Sequence, residues 1–290
     1  MKKIIIVIPV YNDWESLIKL LDEINKNLND LKDTIFECVV INDSSTTKSP
    51  NIIKPENISL LTVVNIKKNK GHARCNALGL RYLVNNFKFD HVLLMDGDGE
   101  DRPQEIPFLI KKALSEQNMS VVAKRIKRSE GLIFQTLYQI HKLITIVFAG
   151  KNINFGNFSC LTKKDVVKLF DKKSLWSSFS GSLKFHIDKF NSVNSIRGLR
   201  YFGPSKMSLF NLIIHSFSII AVFKKTVFLR SAFLLIFSSY FINNLGLIVV
   251  VFQIFLVVFN ILIYLVSLRE NEEELLKSEA NIDSLKIIKH

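Results

Sequence analysis

The sequence predicts an α/β domain on a mostly parallel sheet, followed by a C-terminal helical hairpin in a membrane. Three observations carry that expectation. Short apolar, β-branched runs alternate with segments of helical period through the N-terminal half. Several of those runs are followed directly by acidic or amide residues. The apolar content, 48% of the 290 residues with 23 Phe, crowds between Leu209 and Leu268. At this length two modules are expected, since one domain usually takes roughly 100 to 200 residues.

The elements follow in order. Met1 to Val10 has two lysines and a short apolar run but no small-residue cleavage site, so it reads as a first strand rather than a leader. Ile4 to Val10, Phe36 to Ile41, Leu60 to Ile66 and His91 to Met95 are strands, with a fifth at Met119 to Ala123. Asp13 to Leu28, Gly71 to Asn85 and Pro103 to Ser115 are helices, the last with Pro at its first turn. This alternation is the βαβ pattern of a parallel sheet covered by helices. An amphipathic stretch then runs from Gly131 to Phe148, a turn spans Asn152 to Asn157, and a helix begins near Lys163.

The catalytic-type domain is expected over residues 1–207. Ser208 to Phe223 is apolar with His215 and several serines, and reads as an interfacial helix over 208–225, with a third span or a soluble core helix as competing readings. Leu245 to Leu268 has no charged residue and exceeds the roughly 20 residues needed to cross a bilayer. Thr226 to Asn244 is a second span, carrying Arg230 where its stem can snorkel to the headgroups. A turn at Asn243, Asn244 and Gly246 makes residues 226–268 a hairpin, and the charged tail 269–290 is expected to be solvated.

The 39 basic and 26 acidic residues leave a formal charge of +13. Much of the excess lies between Lys184 and Arg230, just ahead of the apolar region, where basic residues meet anionic headgroups and mark the cytoplasmic side. The expected location is therefore a membrane, with multiple passes and with the domain and the C-terminus cytoplasmic. No nucleic-acid motif accompanies the charge, and no nucleic-acid partner is expected. Cys38, Cys75 and Cys160 sit at no metal-ligand spacing and read as small buried hydrophobes in a reducing compartment.

The chemistry is expected at the carboxyl ends of the strands, where open parallel sheets bind ligands. Asn12 and Asp13, then Asp43, then Asp96 and Asp98 each follow a strand. Asp96-Gly97-Asp98-Gly99-Glu100-Asp101 places four carboxylates within six residues of a basic chain, a set of hard oxygen donors suited to Mg²⁺ or Mn²⁺ with substrate phosphates. A solvated acidic turn is the alternative. Asp43 suits either a base or ribose contact or a cap on the next element. Asn69 and Gly71 lead into a helix whose amides can face an anion, and His72 beside them reads as a surface histidine. Arg125 and Arg128 follow the fifth strand, placed to clamp phosphate oxygens or to form an ordinary basic run. Arg200, Ser205 and Lys206 lie just before the membrane region, to meet a lipid phosphate or headgroups.

Together these residues resemble the family-2 glycosyltransferases of the GT-A fold, specifically the polyprenyl-phosphate and dolichol-phosphate sugar synthases. The resemblance runs from Ile4 to about Leu209 and on into a similar hairpin. Val7-Ile8-Pro9-Val10-Tyr11-Asn12-Asp13 is similar to the family's PxYNE opening, and Asp43 to its strand-two acid. Asn69-x-Gly71 with Gly79 resembles its glycine-containing loop and helix, and Asp96 to Pro103 its DADLQDPP run. By that resemblance Pro9, Tyr11, Asp13, Asp43, Asp96 and Gly97 bind the nucleotide sugar, while Asp98 and Glu100 hold the metal. Arg125 and Arg128 match the arginines after the fifth strand. Arg200, Gly203, Ser205 and Lys206 resemble the RxxGxSKY element that points to a lipid-phosphate acceptor. Three positions depart from the pattern. Glu100 stands for Gln, Met207 for Tyr, and Gly156-Asn157-Phe158-Ser159-Cys160-Leu161 replaces a GDFRLL-like segment, leaving Ser159 at the place of an Arg.

The resemblance implies an inverting, metal-dependent hexosyltransferase whose donor is UDP-, GDP- or dTDP-linked and whose acceptor is an undecaprenyl-type phosphate in the bilayer. Its catalytic groups would be Asp96, Asp98 and Arg125, and homo-oligomers through the hairpin are implied by resemblance alone. An acceptor phosphate is already ionised, so positioning and electrostatic stabilisation suffice and no strong base is required. Two other readings are a membrane-anchored transferase acting on a glycan or glycolipid hydroxyl, with Asp101 or His72 as base, and a catalytically silent membrane scaffold.

Overall fold

The computed structural model describes residues 1–116, 119–127, 132–204 and 208–289. The strands β1 (Lys2–Val10), β2 (Thr34–Asn42), β3 (Ile58–Ile66), β4 (His91–Leu94), β5 (Val121–Lys127), β6 (Phe155–Thr162), β7 (Asn191–Ile196) and β8 (Ile282–Ile288) form one sheet in the order β7-β5-β6-β4-β1-β2-β3-β8. β1 is parallel to β2 and β4, β2 to β3, and β5 to β7. β6 runs antiparallel between β4 and β5, and β8 antiparallel along β3. The fold is the expected α/β type with a mostly parallel, mixed sheet.

Alternation along β1 explains the layers. Ile4, Ile6 and Ile8 point to one face, where α1 (Trp14–Leu28) and α3 (Ile106–Ser115) cover them. Ile5 and Val7 point to the other, under α2 (His72–Asn86), α5 (Lys163–Leu169) and α6 (Phe179–His186). Because both faces are covered, Ile4 to Val10 are all buried and the strand reads as a continuous apolar run. Each such side chain contributes about 1.5 to 3 kcal/mol of burial. Trp14, Leu17, Leu21, Ile24 and Leu28 recur at helical spacing and form the buried stripe of α1.

α4 (Leu132–Ile144) continues into a π turn at Thr145–Ala149, after which α7 (Leu209–Ala221), α8 (Lys224–Ser239), α9 (Ile242–Leu245), α10 (Leu247–Ser267) and α11 (Glu272–Leu276) complete the chain's helices among the described residues. Four sequence expectations change here. The segment 152–157 is not a turn throughout, since β6 begins at Phe155. The tail is not simply solvated: α11 puts Glu274 on Trp176 Nε1 (3.2 Å), and β8 closes the edge of β3. In the expected interfacial helix the end of α7 and the following link, Ile219 to Phe223, are buried in the domain core. Arg230 does not snorkel but donates to the Ile146 and Val147 carbonyls (3.2 and 2.7 Å), satisfying the end of the π turn.

Among the described residues one helical run, Leu247–Leu276, is long and apolar enough to cross a membrane by length and composition. α8 has 16 residues, about 24 Å of helix. It lies against α10, and Phe148 packs on Phe259 with ring centroids 4.6 Å apart. Lys224 at the start of α8 pairs with Glu270 beyond α10 (2.7 Å), so the two ends of the helical pair meet.

Candidate active site at the carboxyl rim of the sheet

β1, β2 and β4 end side by side, and their following loops carry the chemistry. After β1, Asn12 takes a positive φ of 50° and its Oδ1 accepts from the Thr46 and Thr47 amides (2.8 and 3.1 Å). That ties the loop after β1 to the loop after β2. Tyr11 is partly exposed beside it, and Pro9 is buried in β1. Asp43 is buried, and its two oxygens accept from the Lys70 and Gly71 amides (2.7 and 2.9 Å). Of its two sequence readings the cap is the one observed: Asp43 anchors the turn entering α2. Burial pushes its carboxyl above the usual range despite those amides.

The loop after β4 forms the centre. Gly97 lets the loop pass close to β1, because a methyl there would sit 2.9 Å from the Pro9 carbonyl oxygen. Asp96 faces His72 Nε2 at 3.1 Å, and Asn157 Nδ2 from β6 donates to the same Asp96 oxygen (3.1 Å). Burial opposes ionisation of Asp96, yet His72, Arg125 and Asn157 hold it well below the usual carboxylate range. His72 is raised in turn: burial works against its charge, but Asp96 outweighs it. It is therefore a partner in the site and not the surface histidine the sequence suggested.

Asp101 is buried and accepts from the Asp96 amide (2.9 Å). Burial and the neighbouring Asp96 push it up to about 7. Arg125 Nη2 lies 4.0 Å from Asp101 Oδ1 and packs over Gly156, where an added methyl would come within 2.5 Å. Arg125 thus faces the Asp96 loop, as its place after the fifth strand suggested. Ser159 Oγ bonds the Asn157 carbonyl (2.8 Å) and holds the β6 end of the site.

Asp98 and Glu100 are each met by an arginine. Arg200 reaches Asp98 Oδ2 with one Nη and Asp13 Oδ2 with the other, both at 2.5 Å. Arg197 pairs with Glu100. Burial, with Asp96 and Glu100 alongside, pushes Asp98 up to about 6. The segment bearing these arginines is also tied down by its backbone, with Gly198 N on the Glu100 carbonyl (2.8 Å) and Tyr201 N on the Asp98 carbonyl (2.9 Å). Gly99, at φ 88°, leaves room for the Tyr201 ring, whose hydroxyl donates to Glu23 (2.7 Å).

The structure therefore brings Pro9, Asp13, Asp96, Gly97, Asp98, Glu100, Arg125 and Arg200 to one rim. Arg128, Ser205 and Lys206 lie outside the described residues. Sequence reasoning missed Arg197 and Asn157 and undervalued His72 and His215. His215 on α7 lies within electrostatic reach of His72, Asp96 and Arg125, and burial, then His72, presses it down to about 4. Among the described residues no three His, Cys, Asp or Glu side chains form a ready cage for a metal. Asp98 and Glu100 nevertheless suit a hard divalent ion, which commonly takes one or two carboxylates and completes its shell with phosphate oxygens. Each of the two already carries positive charge in the form of a guanidinium.

A family model described as glycosyl transferase family 2 matches residues 5–179. Similar relatives include the undecaprenyl-phosphate 4-deoxy-4-formamido-L-arabinose transferases. That of Photorhabdus laumondii is 28% identical over 222 residues, covering 73% of this chain and 65% of the relative. That of Serratia proteamaculans is 26% identical over 220 residues, with 73% and 65% covered. The chain thus spans just under two thirds of the length of these relatives. Among solved structures, glucosyl-3-phosphoglycerate synthase from Mycobacterium tuberculosis, in complex with Mn²⁺, UDP-glucose and phosphoglyceric acid, matches with a TM-score of 0.55 at 17% identity, over 78% of this chain and 80% of that one. That likeness shows a shared GT-A fold.

Proposed function

The chain belongs to glycosyl transferase family 2, and from that premise we propose that it transfers a sugar, with inversion, from a nucleotide-sugar donor to a polyprenyl phosphate at the cytoplasmic face of a membrane. The observation that carries this reading is the meeting of Asp96, Asp98 and Glu100 with Arg125, Arg197 and Arg200 on one rim. Acidic groups there hold a cation, and arginines there hold phosphate. Relatives named as undecaprenyl-phosphate sugar transferases support the acceptor, and a neighbour solved with Mn²⁺ and UDP-glucose supports the donor class.

Pro9, Tyr11, Asp13, Asp43 and Gly97 line the nucleotide side, with Asp43 acting through the turn it anchors. Asp98 and Glu100 are the residues to hold Mg²⁺ or Mn²⁺, which would supply positive charge at the departing diphosphate. Arg125 and Arg128 face the phosphates, and Asp96 keeps His72 charged beside them. Arg200, Ser205 and Lys206 receive the acceptor phosphate. Its oxygen is already an anion, so the chain has only to place it opposite the leaving group.

In this reading α8 and α10 form the membrane hairpin and α7 lies at the interface, ending in the domain core. The paired ends at Lys224 and Glu270 support a hairpin that returns to the side it left. Exposed Leu229, Phe233, Ile236, Leu247, Ile248, Val251, Ile254 and Phe255 support a lipid-facing surface.

The test is sugar transfer by membranes carrying the protein, using labelled UDP-, GDP- and dTDP-sugars with short-chain polyprenyl phosphate, with and without EDTA. A metal-dependent, organic-extractable, mild-acid-labile product is expected. Hydrolysis of donor without lipid product would instead favour a hydroxyl acceptor, and neither product nor nucleotide binding would favour a silent scaffold.

A further inference from the structure

We propose that the divalent ion and two arginines exchange places at this rim. Without the ion, Arg197 and Arg200 occupy Glu100 and Asp98, and once the ion takes those carboxylates the freed guanidiniums turn to substrate phosphate oxygens. This rests on the metal-dependent transfer proposed above. It adds Arg197 as a phosphate-binding residue, three positions before the element in which Arg200 was noted.

The carboxylates cannot serve both partners in their present geometry. Asp98 Oδ2 is taken by Arg200, while Asp98 Oδ1 accepts from the Glu100 amide (3.0 Å). Glu100 is taken by Arg197. A small divalent ion binds carboxylate oxygens at about 2.0 to 2.1 Å, with near-octahedral demands, and it cannot share those lone pairs with a guanidinium. The ion must displace the arginines.

The backbone is built to keep them close when that happens. The Gly198 and Tyr201 amides hold the segment to the loop after β4, and the Ile196 amide donates to Glu105 (3.0 Å). Tyr201 is anchored separately through Glu23, with Lys19 Nζ 4.5 Å from its ring centroid. None of these contacts uses a guanidinium. The side chains can therefore swing from a fixed base, and Arg200 keeps a buried Nε that makes no hydrogen bond among the described residues.

Exchange has a thermodynamic signature. The arginines compete with the ion when it comes alone, and they stop competing when a diphosphate receives them. Ion and nucleotide must then strengthen each other's binding, reciprocally. Arg125 is not part of the exchange, being held over Gly156 and beside Asp101.

The experiment is a Mn²⁺ titration of the full chain in detergent, read from the free-Mn²⁺ electron paramagnetic resonance signal, alone and with UDP, GDP or dTDP. Arg197→Gln is expected to bind Mn²⁺ alone about tenfold more tightly than the unsubstituted protein, the effect of removing one charge-assisted competitor, and to lose about tenfold of the tightening that the nucleotide gives. Arg197→Lys, which keeps the charge, is expected to stay close to the unsubstituted protein, and equal melting temperatures show that both variants are folded. Unchanged or weaker Mn²⁺ binding by folded Arg197→Gln overturns the exchange while leaving the transferase reading intact. Absence of any Mn²⁺ binding by the unsubstituted protein, with each nucleotide in turn, overturns both.

Discussion

His72 Nε2 stands 3.1 Å from the Asp96 carboxylate, so the first residue of α2 and the loop leaving β4 are joined by an ion pair under the rim. Asp96 lies among Asp98 and Asp101, and His72 is the first-named source of the attraction that keeps it ionised. His72→Gln keeps a hydrogen-bonding side chain but removes that charge. We expect donor KM to rise about tenfold with a smaller change in kcat, because the pair shapes the ground-state donor site. A nucleotide-sugar titration of transfer measures both, and an unchanged KM would show that Asp96 is held by Arg125 and Asn157 alone.

Asp98→Asn keeps the shape of the loop and removes a metal-type ligand. Transfer is expected to fall about 100-fold or more, as for loss of one strong electrostatic contact to a departing phosphate. The residual activity should no longer respond to EDTA. Activity that stays high and EDTA-sensitive would move the metal away from Asp98.

Gly99→Ala tests the fit between the acidic loop and the following strap. The position has a φ of 88°, and a methyl there would meet Tyr201 Cε2 at 2.5 Å. The expected cost is about 1 to 3 kcal/mol of stability from backbone strain, with further loss from displaced Tyr201. A thermal melt reads it, and a melting temperature equal to that of the parent would mean the Tyr201 ring moves aside freely.

His91 in β4 gives a pH dependence with a definite sign. It is buried, its Nδ1 has no hydrogen-bond partner among the described residues, and burial lowers its pKa below the ordinary 6.5. The unfolded chain therefore binds a proton more readily than the folded one in the window just below 6.5. Stability is full above that pH and falls as pH drops through the window toward the folded value. Denaturant melts between pH 5 and 7.5 should show this slope, and His91→Gln should reduce it. An identical slope in the variant would assign it to other groups.

The central sheet and the acidic rim were legible because parallel strands covered on both faces leave unbroken apolar runs, as in Ile4 to Val10 and Phe36 to Ile41. β6 was hidden at its start, where Gly156 and Asn157 imitate a turn although Asn157 points its amide into the site. β8 was hidden for another reason. It is an edge strand whose Ile282, Leu285 and Ile287 are separated by polar residues, and nothing in so short a pattern names β3 as its partner. The pairs Arg200 with Asp98 and Arg197 with Glu100 join residues about a hundred positions apart, and charge composition carries no information at that range. Glycine patterning did carry some: the glycines flanking Asp98 are required by Pro9 on one side and Tyr201 on the other.

β8 follows α10 in the chain but lies beside β3. Synthesis proceeds from the N-terminus, so during translation the edge of β3 stays open until both long apolar helices have left the ribosome. An open edge invites pairing with other chains. Closing it from beyond the helical pair makes the final sheet contact dependent on that pair having turned back, since Ile282–Ile288 can reach β3 only when Glu270 has come round to Lys224. A chain whose apolar helices fail to double back is left with an unfinished sheet, which marks it for disposal rather than assembly.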